Sequence, residues 1–286
     1  MQITYNANKC PKCNILQIKG TMNQIEVIAN KIEDLFYRRK KRILSVYFTA
    51  GYPKIDATAT IITNLEQSGV DLIEIGIPFS DPVADGDTIQ HSNHVALKNG
   101  MTIRMLFEQL RDIRNRVEIP LIMMSYLNPV YQYGIEKFCK KCQEIGIDGL
   151  IIPDLPLYEY ETKYKDVFDC FNLKFIMLVT PQTAIERIRK IDFLTGGFIY
   201  LVSSASTTGS KGKMSSEQMQ YFKRIHDLGL NNPLLVGFGI SNRESFVNAS
   251  RYAAGAIIGS AFIRAISQSD DLKASISSFV QSVKAE

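Results

Sequence analysis

The chain has 286 residues, with 33 Lys and Arg against 29 Asp and Glu, a formal charge of +4 at neutral pH. A hydrophobic fraction of 45% and a charged fraction of 22% exclude a disordered chain, and 18 Gly and 10 Pro exclude a collagen-like or low-complexity one. No apolar run reaches the roughly 18 residues of a membrane span, and so mild a charge excess does not point to nucleic acid.

The first 21 residues are polar and carry the pair Cys10 and Cys13. They are expected to be an N-terminal extension, either a disordered tail or translation from a start placed too early, ahead of a single domain over 22–286. A first helical pattern covers 24–37. The basic run Arg38-Arg39-Lys40-Lys41-Arg42 then leads into a strand pattern and reads as a solvated connection. Cysteines number five, an odd count, and no apolar leader resembles a secretory signal. A disulfide framework is therefore not expected, and a cytoplasmic location is. Cys139 and Cys142 form a second CxxC pair. They sit with Phe138 and Ile145 at helical spacing, so they read as small core residues and not as zinc ligands.

From residue 43 one pattern repeats: a short apolar run, a polar turn, an amphipathic helix. Strands are expected at 43–49, 72–75, 121–125, 149–152, 175–179, 198–202, 234–237 and 256–258. Helices are expected at 56–68, 103–117, 135–145, 157–171, 183–191, 216–228, 244–252 and 261–283, with an extra short helix at 88–98. Nearly continuous apolar strands suit a parallel sheet covered on both faces. Eight βα units in about 245 residues favour a closed α/β architecture, a (β/α)8 TIM barrel with an extra N-terminal helix, over an open sheet. An open dinucleotide-binding sheet would want a glycine fingerprint after its first strand. The turn there is Ala50-Gly51-Tyr52-Pro53-Lys54, which supplies none.

In such barrels chemistry sits at the C-terminal ends of the strands. Strand alternation puts Leu72, Glu74 and Gly76 on one face and Ile73, Ile75 and Ile77 on the other. Glu74 is thus expected to point into the barrel near its mouth, where burial raises a carboxyl pKa toward working pH, as general acid–base catalysis requires. A buried structural ion pair is the competing reading, but no strand offers an inward basic partner. The following loop carries Asp81 and Asp85, and Asp85 can fold back beside Glu74. Strands seven and eight end in Gly237-Phe238-Gly239 and Gly259-Ser260. There small residues and a helix N-terminus suit a phosphate. The long small-residue loop after strand six, which includes Thr208 and Gly209, can close over a ligand. His91, His94 and His226 lie in helical patterns, and no Lys stands at a strand's C-terminal end. Metal and Schiff-base chemistry are disfavoured, which leaves acid–base work on a phosphorylated substrate.

The run from Leu72 to Gly86, LIEIGIPFSDPVADG, resembles the signature of the tryptophan synthase alpha subunit family. Similar support comes from Phe48-Thr49-Ala50-Gly51-Tyr52-Pro53, Tyr126-Leu127-Asn128-Pro129, Pro153-Asp154-Leu155-Pro156 and Gly255-Ala256-Ile257-Ile258-Gly259-Ser260-Ala261. The resemblance covers about 23–284. It implies a lyase of tryptophan biosynthesis that cleaves indole-3-glycerol phosphate to indole and glyceraldehyde 3-phosphate by a metal-free retro-aldol route. It implies catalytic roles for Glu74, on indole C3, and for Asp85, on the indole N–H. By the same resemblance Tyr200 orients Glu74, Tyr47 lines the indole pocket, Gly209, Gly239, Gly259 and Ser260 bind phosphate, and Thr208 meets Asp85 when the lid closes. It further implies a β subunit partner in an α2β2 heterotetramer, docked through Asp81, Pro82, Asn128 and Pro129. Pyridoxal phosphate is expected in that partner, with no cofactor in this chain. Two departures stand out: Asp87 replaces a common Pro, and Ser206-Thr207-Thr208-Gly209 replaces the usual Gly-Val-Thr-Gly.

Overall fold

The computed structural model describes residues 30–203, 215–267 and 269–284. Eight parallel strands close into a barrel in sequence order. They are β1 (Ile43–Thr49), β2 (Leu72–Gly76), β3 (Leu121–Met124), β4 (Gly149–Ile151), β5 (Lys174–Val179), β6 (Ile199–Val202), β7 (Leu234–Gly237) and β8 (Gly255–Ile258). Each agrees with its sequence expectation to within a residue or so, because a run of buried β-branched residues between turn signals has few other places to go. β1 pairs with both β2 and β8, and that second pairing closes the ring.

The helices depart more. The stretch 103–117 forms a helix only over Ile103–Gln109, followed by a single 3₁₀ turn at Ile113–Asn115. The stretch 261–283 is two helices, Ser260–Ile266 and Leu272–Lys284. The second starts where Asp271 Oδ1 accepts from Ala274 N–H at 3.0 Å, an N-cap that the apolar periodicity ran straight through. A helix at Leu127–Tyr133 was not expected at all. Its Pro129 sits in the first helical turn, where proline is tolerated because the N–H groups lack partners anyway.

The N-terminal end of the barrel is plugged by the helix Lys31–Arg38. Asn30 caps it, accepting from Ile32 N–H while its amide donates to the carbonyls of Asp148 and Asn172. Ile32 sits so close to Gly149 and Gly197 that a Cβ on either would fall within 3 Å of it, and Phe36 packs on Phe198. In the basic run, Arg39 pairs with Asp71 and Arg38 with Asp34, so these charges are largely spent locally. Cys139 and Cys142 are buried in the helix Ile135–Glu144, as the spacing indicated; Cys10 and Cys13 lie outside the described residues. No helix among the described residues is long and apolar enough to cross a membrane.

Candidate active site

Glu74 lies at the middle of β2 with no solvent exposure. The register sets Tyr47 of β1 beside it and Ser45 beside Leu72, one layer nearer the plugged end. The Ser45 hydroxyl donates to Glu74 Oε1 at 3.0 Å, while Oε2 is buried with no partner among the described residues. Burial pushes the Glu74 pKa from 4.5 up to about 8, and the Ser45 hydrogen bond pulls part of the way back.

Asp85 is buried as well, at 7% exposure. It returns from the β2 loop to the mouth and accepts a hydrogen bond from the Tyr126 hydroxyl at 3.1 Å. That hydroxyl is itself held by the backbone N–H of Ala84, 2.9 Å away. Gln90 fixes the local backbone by donating to the Asp85 carbonyl. Burial raises the Asp85 carboxyl to about 6, and the Tyr126 hydrogen bond opposes the rise. Burial, then the charge of Asp85, holds the Tyr126 hydroxyl well above its ordinary range, so it stays a donor.

Tyr200, buried on β6, is the link across the barrel. Its hydroxyl pKa is raised first by burial, then by the charges of Glu74 and Asp85 and by Tyr47. Side chains from β1, β2 and β6 can bear on one another only through the barrel interior, so Glu74 faces inward. Tyr47 is raised in the same way, by burial and then by Asp85. Each tyrosine leans over a glycine on the next strand. A Cβ at Gly76 would lie 2.2 Å from the Tyr47 hydroxyl oxygen, and one at Gly237 would lie 2.2 Å from that of Tyr200.

The β7 and β8 ends adjoin this group. Gly239 has φ +72, and Phe238 before it has φ +64, which is uncommon for a residue with a side chain. Ser203 at the end of β6 donates to the Phe238 carbonyl at 2.5 Å, and the Phe238 ring packs edge-on against Tyr200. Gly259 lies against the Tyr47 ring, where a Cβ would stand 3.3 Å from Cδ1. Gly259 also precedes the helix Ser260–Ile266, whose first turn has no side-chain cap. Its leading N–H groups therefore remain available to an anion.

The structure thus gathers Glu74, Asp85, Tyr47 and Tyr200 at one mouth, with Gly239, Gly259 and Ser260 at its rim. Thr208 and Gly209 lie outside the described residues. Asp81 and Asn128 are exposed, Pro82 is buried and Pro129 half-buried. Asp87 opens the helix Asp87–Lys98. Proline and an acidic residue both suit that first-turn position, so the departure at Asp87 is a helix-start exchange and leaves the carboxyl pair intact. Sequence reading assigned no role to Ser45, Tyr126 or Phe238. Alternation along β1 would have placed Ser45 inward with Tyr47, and Tyr126 stood inside a quoted motif. The left-handed backbone of Phe238 leaves no mark in composition.

The family model for the tryptophan synthase alpha chain matches residues 35–285. The chain belongs to the tryptophan synthase alpha chain family. The alpha chain of Christiangramia forsetii is 59% identical over 244 residues, which is 85% of this chain and 94% of that one. The alpha chain of Flavobacterium psychrophilum is 58% identical over 243 residues, 85% and 95% of the two chains. Among solved structures, the tryptophan synthase alpha subunit of Legionella pneumophila superposes with a TM-score of 0.80 at 31% identity, covering 89% of this chain and 97% of that one. The tryptophan synthase complex of Pyrococcus furiosus matches with a TM-score of 0.78 at 32% identity, covering 86% and 98%. As a member of this family, the protein is a lyase of tryptophan biosynthesis. It cleaves indole-3-glycerol phosphate to indole and glyceraldehyde 3-phosphate.

Proposed function

We propose that Glu74 and Asp85 divide the acid–base work of this cleavage. Breaking the bond from indole C3 to the glycerol chain needs somewhere for its electron pair to go. Protonation of C3 by Glu74 turns the ring into that sink and places positive charge on N1. Asp85, ionised, accepts the N1–H hydrogen bond and stabilises the cation. The Glu74 carboxylate then takes the proton of the side-chain hydroxyl next to C3. As the carbonyl of glyceraldehyde 3-phosphate forms, the C–C bond breaks and its electrons neutralise the indole. Glu74 ends the cycle protonated, so protons balance.

The observation that carries this reading is that two buried carboxyls meet one barrel mouth in different company: Glu74 has one oxygen on the Ser45 hydroxyl and the other without a partner among the described residues, while Asp85 accepts from the Tyr126 hydroxyl. Burial raises both, Glu74 to about 8 and Asp85 to about 6, so Glu74 is the acid that keeps its proton longer as pH rises. Two carboxyls driven apart by their surroundings are what a paired acid and base require. Tyr47 supplies an aromatic wall for the indole and Tyr200 orients Glu74. Gly239, Gly259 and Ser260 receive the phosphate, with Thr208 and Gly209 joining from the β6 loop. The deciding experiment is Glu74→Gln assayed for indole release from indole-3-glycerol phosphate. The expected result is loss of activity with phosphate-ligand affinity kept; retention of most of the activity would overturn the assignment.

The docking side is assigned to the loops after β2, β3 and β4. Asp81 and Asn128 are in those segments, as are Val83, Tyr131 and Tyr158, which are 87%, 64% and 69% exposed. Large side chains left open on the segments that follow three consecutive strands suit a protein partner. That partner is a β subunit in an α2β2 assembly, met through Asp81, Pro82, Asn128 and Pro129. Pyridoxal phosphate belongs to the partner in this reading, and no step above uses it. The compartment is the cytoplasm. As the sequence suggests, residues 1–21 are an extension, a tail or a start placed too early, ahead of one barrel domain over 22–286.

A further inference from the structure

We infer that Ser45 is a positioning residue for the cleavage: its hydroxyl holds Oε1 of Glu74 and so reserves Oε2 as the oxygen that carries the proton. The inference rests on the reading of Glu74 as the acid–base group.

Ser45 is out of place by packing criteria. It is fully buried in a strand whose neighbours are Leu44, Val46, Tyr47 and Phe48. A hydroxyl there is costly unless it is hydrogen-bonded, and an apolar residue would fill the layer better. Its side-chain partner among the described residues is Glu74 Oε1, at 3.0 Å. The register explains the reach. Ser45 sits beside Leu72, one inward layer below the Tyr47–Glu74 pair, so its hydroxyl approaches the carboxyl from the plugged end of the barrel. Nothing in that contact blocks the mouth, where the substrate ring must enter.

The consequence is chemical. An ionised carboxylate only accepts hydrogen bonds, so Ser45 must donate to it. When Glu74 is protonated, the same donor on Oε1 leaves the proton to Oε2, and Oε2 has no partner among the described residues. One oxygen is therefore tied and the other free to give its proton to C3 and later to take one back. The tie also favours the charged form, against the burial that disfavours it. Without Ser45 the carboxyl would hold its proton more tightly and be free to rotate.

The test uses the full chain, alone and saturated with a β subunit, with indole formation followed across pH. Ser45→Ala is expected to lower kcat about tenfold, with KM for indole-3-glycerol phosphate within about twofold. The alkaline limb of kcat should move up by about one pH unit, the scale of a hydrogen bond to a charged group. In difference infrared spectra, the carboxyl band that Glu74→Gln removes should titrate higher by the same amount. Ser45→Thr keeps the hydroxyl and should follow the wild-type limb. The inference is overturned if the Ser45→Ala profile overlays the wild type, if activity falls with no displacement of limb or band, or if Ser45→Thr shares the alanine limb. An inactive Glu74→Gln beside an indifferent Ser45→Ala sinks this inference alone. An active Glu74→Gln sinks the Glu74 reading, and Ser45 with it.

Discussion

Asp85 shows how far a single hydrogen bond sets a catalytic group. Buried as it is, the carboxyl would hold its proton at still higher pH without the Tyr126 hydroxyl, which stabilises the ionised form. Tyr126→Phe removes that donor and leaves the ring that packs on Phe79. The acidic limb of kcat, set by Asp85, should therefore move upward from about 6. The loss should be roughly three- to tenfold on the acid side and should shrink toward pH 8; a profile parallel to the wild type would count against the assignment. Asp85→Asn should cost more, about 10²–10⁴-fold in kcat, since the stabilising charge itself is gone. Period-two alternation placed Glu74 inward from the sequence alone, and turn chemistry made Asp85 conspicuous. Ser45 and Tyr126 escaped because a cross-strand or loop-to-loop hydrogen bond depends on register and loop path, which residue order does not display.

Among the elements, the two tyrosine–glycine contacts tie strand register to the shape of the site. Tyr47 on β1 crosses Gly76 on β2, and Tyr200 on β6 crosses Gly237 on β7, each hydroxyl occupying the place of the missing Cβ. A methyl group at Gly237 must displace the Tyr200 ring, which is buried. Gly237→Ala is expected to destabilise the fold by about 1–3 kcal/mol and to lower kcat more than that loss of folded protein explains. Activity per folded molecule, read beside a thermal melt, separates the two effects; an unchanged kcat per folded molecule would show that Tyr200 position does not matter. Strands were legible because buried apolar runs are short and bounded. Helix ends were less so. The break between the helices Ser260–Ile266 and Leu272–Lys284 turns on the Asp271 cap, a local polar contact that hydrophobic periodicity does not register.

On the scale of the whole molecule, the catalytic acids work against stability, and pH reveals it. A carboxyl whose pKa is higher in the folded state than in the unfolded chain binds its proton more tightly when folded. The stability it lends is therefore complete at low pH and lost as pH rises through the folded value. For Asp85 the window runs from about 4 to about 6, and for Glu74 from about 4.5 to about 8. Asp148 at the plugged end has the same sense, since burial outweighs the Arg114 guanidinium that pairs with it. Across the Glu74 window one extra proton is bound in the folded state, which sets a slope of about 1.4 kcal/mol of stability lost per pH unit from that residue alone. Glu74→Gln keeps the shape, still accepts from Ser45, and has no charge to desolvate. Its melting temperature should stand close to that of the wild type near pH 5 and exceed it by a margin that widens steadily to pH 8. Thermal unfolding at unit pH steps measures that margin. Melting curves that stay parallel would mean that Glu74 is not held neutral by burial, and the proton it is asked to deliver to the indole ring would not be there at working pH.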